Sequence, residues 1–126
     1  MPWQPPRWPP PRIRLARHAD VLVHEALYPA GLASLGLSQA LIDHILATHT
    51  DVSELGRIAA ESDVRTLVAH HLSPGQSTAV SDGTWRRQLR DSARRADFGG
   101  RMLLGDDLAH HGVTAHLPHE ARPGGR

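Results

Sequence analysis

The sequence predicts an α/β fold in which helical crossovers connect the strands of a small parallel sheet. Three short runs rich in valine and leucine are spaced along the chain, and segments with apolar residues at helical spacing lie between them. Short buried strands that alternate with helices favour parallel pairing, because a helical crossover brings the next strand back in the same direction. At 126 residues the chain has room for one such domain.

The first strand is predicted over residues 19–27, "ADVLVHEAL", because a short continuous apolar run is typical of a strand buried in a parallel sheet. A loop is predicted over 29–36. A helix is then predicted over 37–47, "LSQALIDHILA", where apolar residues recur at helical spacing and Ser38 is available as the N-cap.

The segment 51–62 has the clearest helical pattern in the chain, since its apolar and charged residues separate onto opposite faces. Thr50 or Asp51 is available to cap its start, and Asp51 with Glu54 has the spacing of a capping box. Asp63 occupies the position where a left-handed residue ends a helix, a conformation that Asp tolerates better than most residues.

The remaining elements are a second strand over 65–72, "RTLVAHHL", a helix over 81–97 and a third strand over 101–107, "RMLLGDD". We expect this helix to open with a glycine and a cap at Thr84. Its predicted apolar face consists of Trp85, Leu89, Ala93 and Ala96. The order from residue 19 onward is therefore β-α-α-β-α-β.

The two ends of the chain differ in composition from the segments between them. Residues 1–11 hold six of the ten prolines, and proline disfavours helix interiors and paired strands, so a Pro-rich disordered leader is predicted over 1–13. The segment 109–126 is rich in Gly, Pro and His and is predicted to be a disordered tail. One domain is thus predicted over 14–108.

Composition limits the chemistry that this domain can perform. The chain has no cysteine, so disulfides and thiolate ligands are excluded and any metal must be held by imidazole and carboxylate groups. The formal net charge of +1 does not predict strong attraction to nucleic acid. No apolar run is long enough to span a membrane, and the N-terminus lacks the apolar core of a signal peptide, so a cytoplasmic protein is expected.

Histidine and glutamate residues cluster where strands are predicted to end. "HEAL" (24–27) closes the first strand, "HT" (49–50) precedes a helix, and "HHLSP" (70–74) closes the second strand. Ligand-binding groups in parallel sheets collect beyond the carboxyl ends of the strands. A glutamate beside a histidine orients its imidazole, and a histidine at a strand end is a rigidly held metal ligand. One such histidine is more often a surface residue, but the three motifs together predict a site.

A family resemblance rests on three stretches: "RLARHADVLVHEAL", "ALIDHILATHTDVSELGRIAAESDVRTLVAHHLSP" and "RMLLGDDL". Over residues 14–108 the chain resembles the C-terminal part of a metallo-β-lactamase-fold hydrolase, in the group that contains ribonuclease Z and the arylsulfatase-like enzymes. The resemblance implies part of an αββα sandwich with about three strands and three helices. It also implies zinc-dependent hydrolysis of phosphodiester or ester bonds.

The same resemblance implies roles for particular residues. Glu25 in "HEA" would orient His49, and His49 in "HT" would contact the substrate or give a proton to the leaving group. His71 in "HLSP" would be the last zinc ligand of the family, whereas His24 has no expected metal role. Intact relatives hold two zinc ions, which lower the pKa of a bridging water that attacks the substrate.

Other motifs of the family are absent from this sequence. HxHxDH, the main zinc motif, does not occur, and no "GDT"-like turn with the metal-bridging Asp precedes "ADVLVHEA". The "GDD" at 105–107 follows the last ligand and is no substitute. His70 and His71 are expected on opposite strand faces, so they should not chelate one ion together. Because catalytic zinc needs about three protein ligands, we expect a truncated hydrolase that is inactive alone and does not bind zinc stably.

Two kinds of partner follow from these hypotheses. A truncated hydrolase would need a separately encoded N-terminal half or a homo-oligomer to complete its site. The alternative is a non-catalytic binding module that uses the Arg-rich helix 85–96, or the leader "PPRWPPPR" as a ligand for an SH3- or WW-like groove. Nucleic acid is implied as a partner only through the family.

Overall fold

The computed structural model of the chain describes residues 10–75 and 80–105. Most of the predicted leader, the predicted tail with its four histidines, and Asp106 and Asp107 of the predicted third strand lie outside these residues. The α-helices are α1 (Pro11–Ala16), α2 (Pro29–Leu32), α3 (Gln39–Thr48), α4 (Leu55–Ser62) and α5 (Asp82–Arg95), and the strands are β1 (Val21–Leu27), β2 (Thr66–Ser73) and β3 (Arg101–Leu104).

The three strands form one parallel sheet in the order β1-β2-β3, which confirms the predicted α/β class. Leu22, Leu67 and Met102 lie side by side in the register of the sheet. The hydrophobic core lies between this face and the helices α1, α4 and α5. It includes Ile13, Leu55, Ile58, Leu67, Trp85 and Leu89, each with at most 1% of its surface exposed.

Ser38 and Asp63 are the predicted caps of α3 and α4, whereas Asp51 caps a 3-10 turn before α4 and the N-cap of α4 itself, Glu54, makes no side-chain cap. Ser38 caps α3 by accepting a hydrogen bond at 3.2 Å from the amide three residues later. Asp51 accepts a hydrogen bond from Ser53 N at 2.9 Å and starts a 3-10 turn, Val52–Glu54, that leads into α4. Asp63 ends α4 with a left-handed φ of 53°. Local sequence therefore determines both boundaries of this crossover.

The start of α5 differs from its prediction. Ser81 Oγ accepts a hydrogen bond from Thr84 N at 3.2 Å, so Ser81 and not Thr84 is the N-cap. Ser81 has the extended backbone that a cap requires (φ −76°, ψ 160°), whereas Thr84 already lies in the first helical turn. Trp85 and Leu89 are buried as predicted, and Ser92 is a third buried residue that the apolar pattern did not indicate.

Two helices occur where none was predicted, so the described residues hold five α-helices against the three expected. α1 begins at Pro11, and the predicted leader boundary at residue 13 falls inside it. Proline is compatible with the first helical turn, where its missing N–H is not needed. Ile13 is fully buried in the core and holds α1 in place. α2 occupies part of the predicted loop 29–36, again with a proline in its first turn.

α4 and α5 approach closely at Gly56 and Ser92. Ser92 Oγ accepts a hydrogen bond from Gly56 N at 2.8 Å and donates one to the carbonyl oxygen of Ser53 at 3.0 Å. A Cβ atom on Gly56 would lie 2.1 Å from the carbonyl oxygen of Ser92. The absence of a side chain at Gly56 therefore permits this helix–helix distance.

Several apolar side chains lie outside the core. Val23 of β1 is 62% exposed, because it alternates with residues whose side chains face the core. α3 has no buried residue, and its Leu41 and Leu46 are 44% and 45% exposed. β1 and α3 thus both present apolar surface. In the part of the chain that the structure describes, no helix has the length and apolar character needed to cross a membrane.

Candidate functional site

Three segments meet at the carboxyl end of the sheet: the ends of β1 and β2, and residues 49–51 after α3. Leu27 N donates a hydrogen bond to the carbonyl oxygen of Thr50 at 2.7 Å, and Tyr28 N donates one to that of Ser73 at 2.8 Å. These backbone bonds hold both neighbouring segments beside the end of β1. The structure therefore brings the three histidine-containing motifs to one edge of the sheet, where ligand-binding groups of parallel sheets collect.

The side chain of Glu25 connects β1 to the segment 49–51. Its Oε2 lies 3.2 Å from His49 Nδ1, and its Oε1 accepts a hydrogen bond from Thr50 N at 2.8 Å. The side chains of Glu25 and His49 are 28% and 23% exposed, and Thr50 is buried. Because each carboxylate oxygen has its own partner, Glu25 is held in one orientation and orients His49 in turn.

This contact determines which nitrogen of His49 carries hydrogen. A carboxylate only accepts hydrogen bonds, so the contact requires a hydrogen on Nδ1. In the neutral imidazole the lone pair then lies on Nε2, the nitrogen that does not contact Glu25. When Nε2 is also protonated, the positive ring lies beside the Glu25 carboxylate. His49 can therefore take up and release a proton at Nε2 without losing its contact to Glu25.

We expect neutral His49 to adopt the Nδ1–H tautomer, whereas His44, which is exposed on α3, should show the Nε2–H form that free imidazole favours. Long-range ¹H–¹⁵N correlation spectra at about pH 9, where histidine is ordinarily neutral, distinguish the two forms. Glu25→Ala removes the acceptor and should return His49 to the free preference while His44 stays unchanged. A His49 spectrum that is the same with and without Glu25 would contradict the assignment.

His71 lies beside His49 but outside the regular pleat of β2. The two imidazole rings are stacked, with centroids 5.9 Å apart and planes at 28°. The register of β2 against β1 shifts by one residue here, and His71 has a left-handed φ of 51°, which marks a β-bulge. His70 and His71 were predicted on opposite faces because side chains alternate along a regular strand. The bulge interrupts this alternation. His70 instead lies against Gly105, beyond β3.

The described residues do not form a metal site by themselves. Within residues 10–75 and 80–105, no group of three His, Asp or Glu side chains is arranged to hold an ion. Nδ1 of His49 is engaged by Glu25, and Nδ1 of His24 contacts the carbonyl oxygen of Glu25 at 2.8 Å. Zinc takes three or more protein ligands in catalytic sites. His71 and its neighbours therefore do not fit the implied zinc centre unless further ligands join them.

A cleft of about 410 Å³ lies beside the Glu25–His49 pair. Its polar lining consists of Arg12, Glu25, Thr48, His49, Thr50, Asp51 and Glu54. Arg12 was not predicted as a site residue, because proline content assigned it to the leader, although Ile13 and Ala16 after it have helical spacing. A larger groove of about 520 Å³ lies between α4 and α5, and its described lining contains no histidine. The smaller cleft is therefore the candidate substrate site.

The sequence of the chain is similar to those of known proteins. Ribonuclease Z from Pseudomonas putida strain KT2440 is 31% identical to the chain over 99 residues, and the enzyme of strain F1 matches equally well. The chain is similar to ribonuclease Z. The aligned part is 77% of this chain but 28% of each ribonuclease Z, so the chain spans little more than a quarter of the length of these relatives. No family model matches the chain.

The similarity to ribonuclease Z agrees with the resemblance that the three motifs carry. It extends over more of the chain than the site residues themselves. The pairing of Glu25 with His49 was expected from that resemblance, and the structure places the two side chains in contact.

Proposed function

We propose that this chain provides the closing part of a zinc-dependent hydrolase site of the metallo-β-lactamase fold, with phosphodiester or ester bonds as substrates. In this proposal His49 donates a proton to the leaving group, Glu25 positions His49, and His71 is a zinc ligand. The observation that supports it best is the contact of Glu25 with both His49 Nδ1 and Thr50 N at the edge of a cleft.

The protein residues would act as follows. A substrate bound in the cleft presents its leaving-group oxygen to Nε2 of His49. Protonated His49 gives this proton to the oxygen as the bond breaks, while the Glu25 carboxylate stabilises the positive ring before transfer and keeps its orientation afterwards. Half-burial of both side chains strengthens their interaction relative to a fully solvated pair.

Zinc, when bound, would supply the activated water that attacks the substrate. Of the family's ligands this sequence offers His71, and HxHxDH does not occur in it. The proposal therefore requires the other ligands from a further polypeptide segment or from a second copy of the chain, and the 126 residues alone are proposed to be inactive. The exposed apolar side chains of Val23 and Leu46 favour cover by such a segment.

The full chain and a chimera test this proposal together. The chain alone should contain far less than one zinc ion per molecule and should not turn over bis(p-nitrophenyl) phosphate. A chimera in which the chain replaces the matching part of Pseudomonas putida ribonuclease Z should bind zinc and hydrolyse this substrate. His71→Ala in the chimera removes one proposed zinc ligand and should lower the zinc content by about one ion per active site. His44→Ala, on the exposed helix α3, is the matched control.

The outcomes separate three claims. Stoichiometric zinc with turnover by the chain alone would overturn the proposed inactivity. A folded chimera without zinc or turnover would overturn the assignment of this region to a hydrolase site. Equal zinc loss in the His71 and His44 variants would contradict only the role of His71 as a zinc ligand.

A binding function remains the second candidate. Residues 1–9 of the proline-rich leader lie outside the described residues, and Pro11 and Arg12 at the end of "PPRWPPPR" belong to α1. The Arg-rich segment 85–96 overlaps α5, where its five arginines are exposed and Trp85, Leu89 and Ser92 are buried.

A further inference from the structure

Helix α5 concentrates positive charge on the surface of the protein. Its 14 residues include five arginines and two aspartates, and these five are more than a third of the 14 basic residues of the chain. All five are exposed: Arg86, Arg87, Arg90, Arg94 and Arg95. The net charge of the whole chain is only +1, so this positive charge is local.

The arginines lie on the side of α5 that faces away from the core. Trp85, Leu89 and Ser92 are buried and define the inner face of the helix. Arg86, Arg90 and Arg94 recur every fourth residue, so they form one stripe along the outer face, and Arg87 lies beside it. We call these four residues the arginine stripe. Successive guanidinium groups on it are about 6 Å apart along the helix axis.

No ion pair joins any residue of the arginine stripe to a described carboxylate. α4 provides the contrast, because Arg57 there contacts Glu61 at 3.1 Å. Asp91, on α5 itself, is partly buried and also makes no ion pair within the described residues. Within residues 10–75 and 80–105, no carboxylate therefore engages the guanidinium donors of the stripe.

The arginine stripe and the exposed Val23 lie on opposite sides of the sheet. The core helices pack on the sheet face that carries Leu22 and Leu67, and Val23 is exposed on the opposite face. A segment that covers Val23 would lie on the far side of the sheet from α5. Cover of the Val23 face would therefore leave the arginine stripe as exposed as it is among the described residues.

We propose that the arginine stripe of α5 binds the phosphodiester backbone of a single-stranded nucleic acid. Arginine forms forked, charge-assisted hydrogen bonds to phosphate, and a spacing of about 6 Å is comparable to that of successive phosphates along a strand. A flexible single strand can follow a straight row of charges. The stripe carries no aromatic side chain for base stacking, so binding is independent of base sequence. This proposal does not depend on hydrolysis or on zinc.

Fluorescence anisotropy with labelled oligouridylate and oligothymidylate tests it on the full chain. Four phosphate contacts predict a decrease in affinity of about 50-fold between about 50 and 200 mM NaCl, and one contact predicts about 3-fold. The triple variant R86A/R90A/R94A should show the weak dependence. The matched control R14A/R17A/R101A removes the same charge from exposed sites elsewhere and should keep the steep dependence. Circular dichroism verifies that both variants are folded.

Each outcome decides for or against the stripe. RNA and DNA strands should bind equally, because nothing on the stripe reads the 2′-hydroxyl. No binding at low salt, equal losses in the two triple variants, or tighter binding of duplex than of single strands would overturn the proposal. Binding of poly-glutamate as tightly as of oligouridylate would show a general anion surface and would overturn the assignment to a phosphodiester backbone.

Discussion

Gly56→Ala is expected to lower the free energy of unfolding by about 3–4 kcal/mol, because a Cβ atom has no room between α4 and α5. The new atom would lie 2.1 Å from the Ser92 carbonyl oxygen, 2.5 Å from its carbonyl carbon and 2.8 Å from Ala93 N. All three are backbone atoms, so a rotamer change cannot relieve the clash. The helices must separate, which also breaks the hydrogen bonds that Ser92 Oγ makes to Gly56 and Ser53.

Urea unfolding followed by circular dichroism measures this effect, and Gly83→Ala is its matched control. Gly83 lies in the first turn of α5, where the nearest atom to an added Cβ is Ser81 Oγ at 3.7 Å. Alanine should therefore stabilise the protein there, by up to about 1 kcal/mol, through its higher helix propensity. If Gly56→Ala does not fold, Ser92→Ala still tests the contact, since it removes both hydrogen bonds without a clash and should cost about 1–3 kcal/mol. A Gly56→Ala variant as stable as Gly83→Ala would contradict the close packing.

The packing of α4 on α5 has a consequence for the candidate site. Ser53 lies in the turn that connects Asp51 to α4, and its carbonyl oxygen accepts the hydrogen bond from Ser92. His49 is two residues before Asp51. The helix contact therefore helps to hold the segment that presents His49 to Glu25, and its loss should increase the mobility of His49 as well as lower stability.

Local patterns predicted the elements whose determinants lie within a few residues. The cap at Ser38, the cap at Asp51 and the left-handed Asp63 were all visible in the sequence, because each depends on its own neighbours. α1 was missed because proline content outweighed the spacing of Ile13 and Ala16. Burial of Ile13 depends on distant core residues, which composition cannot show.

In the candidate site, too, some features could be predicted from the sequence, whereas others depend on contacts between distant segments. Parallel strand order predicted that the motifs containing Glu25 and His49 lie at one edge of the sheet, whereas the pairing of these two side chains was implied by the family resemblance. The β-bulge at His71 and the contact of Ser92 with Gly56 depend on how separate segments fit together. A regular pleat was the natural assumption for two adjacent histidines, and the shift in register replaces it. The role of Arg12 beside the cleft was hidden for the same reason as α1.

With a dinucleotide substrate, His49→Ala is expected to lower kcat of the active chimera with ribonuclease Z by about 100- to 10,000-fold, the usual contribution of a general acid. The expected loss depends on the leaving group. A nucleoside alkoxide needs a proton to depart, so the loss should be largest with a dinucleotide substrate. p-Nitrophenolate departs without one, so bis(p-nitrophenyl) phosphate should be hydrolysed at nearly the original rate.

Comparison of the two substrates separates proton donation from binding. If His49 only positioned the phosphate, His49→Ala would slow both substrates equally, and the general-acid role would be wrong. Glu25→Gln supplies the second test, because Glu25 acts through His49. It should reduce cleavage of the dinucleotide but not of bis(p-nitrophenyl) phosphate. In a protein that already carries His49→Ala, it should cause little further loss of activity. Additive losses would mean that Glu25 contributes separately, for example through Thr50 N, which its Oε1 holds at 2.8 Å. The size of the coupling thus measures how much of the Glu25 contribution passes through the 3.2 Å contact with Nδ1 of His49.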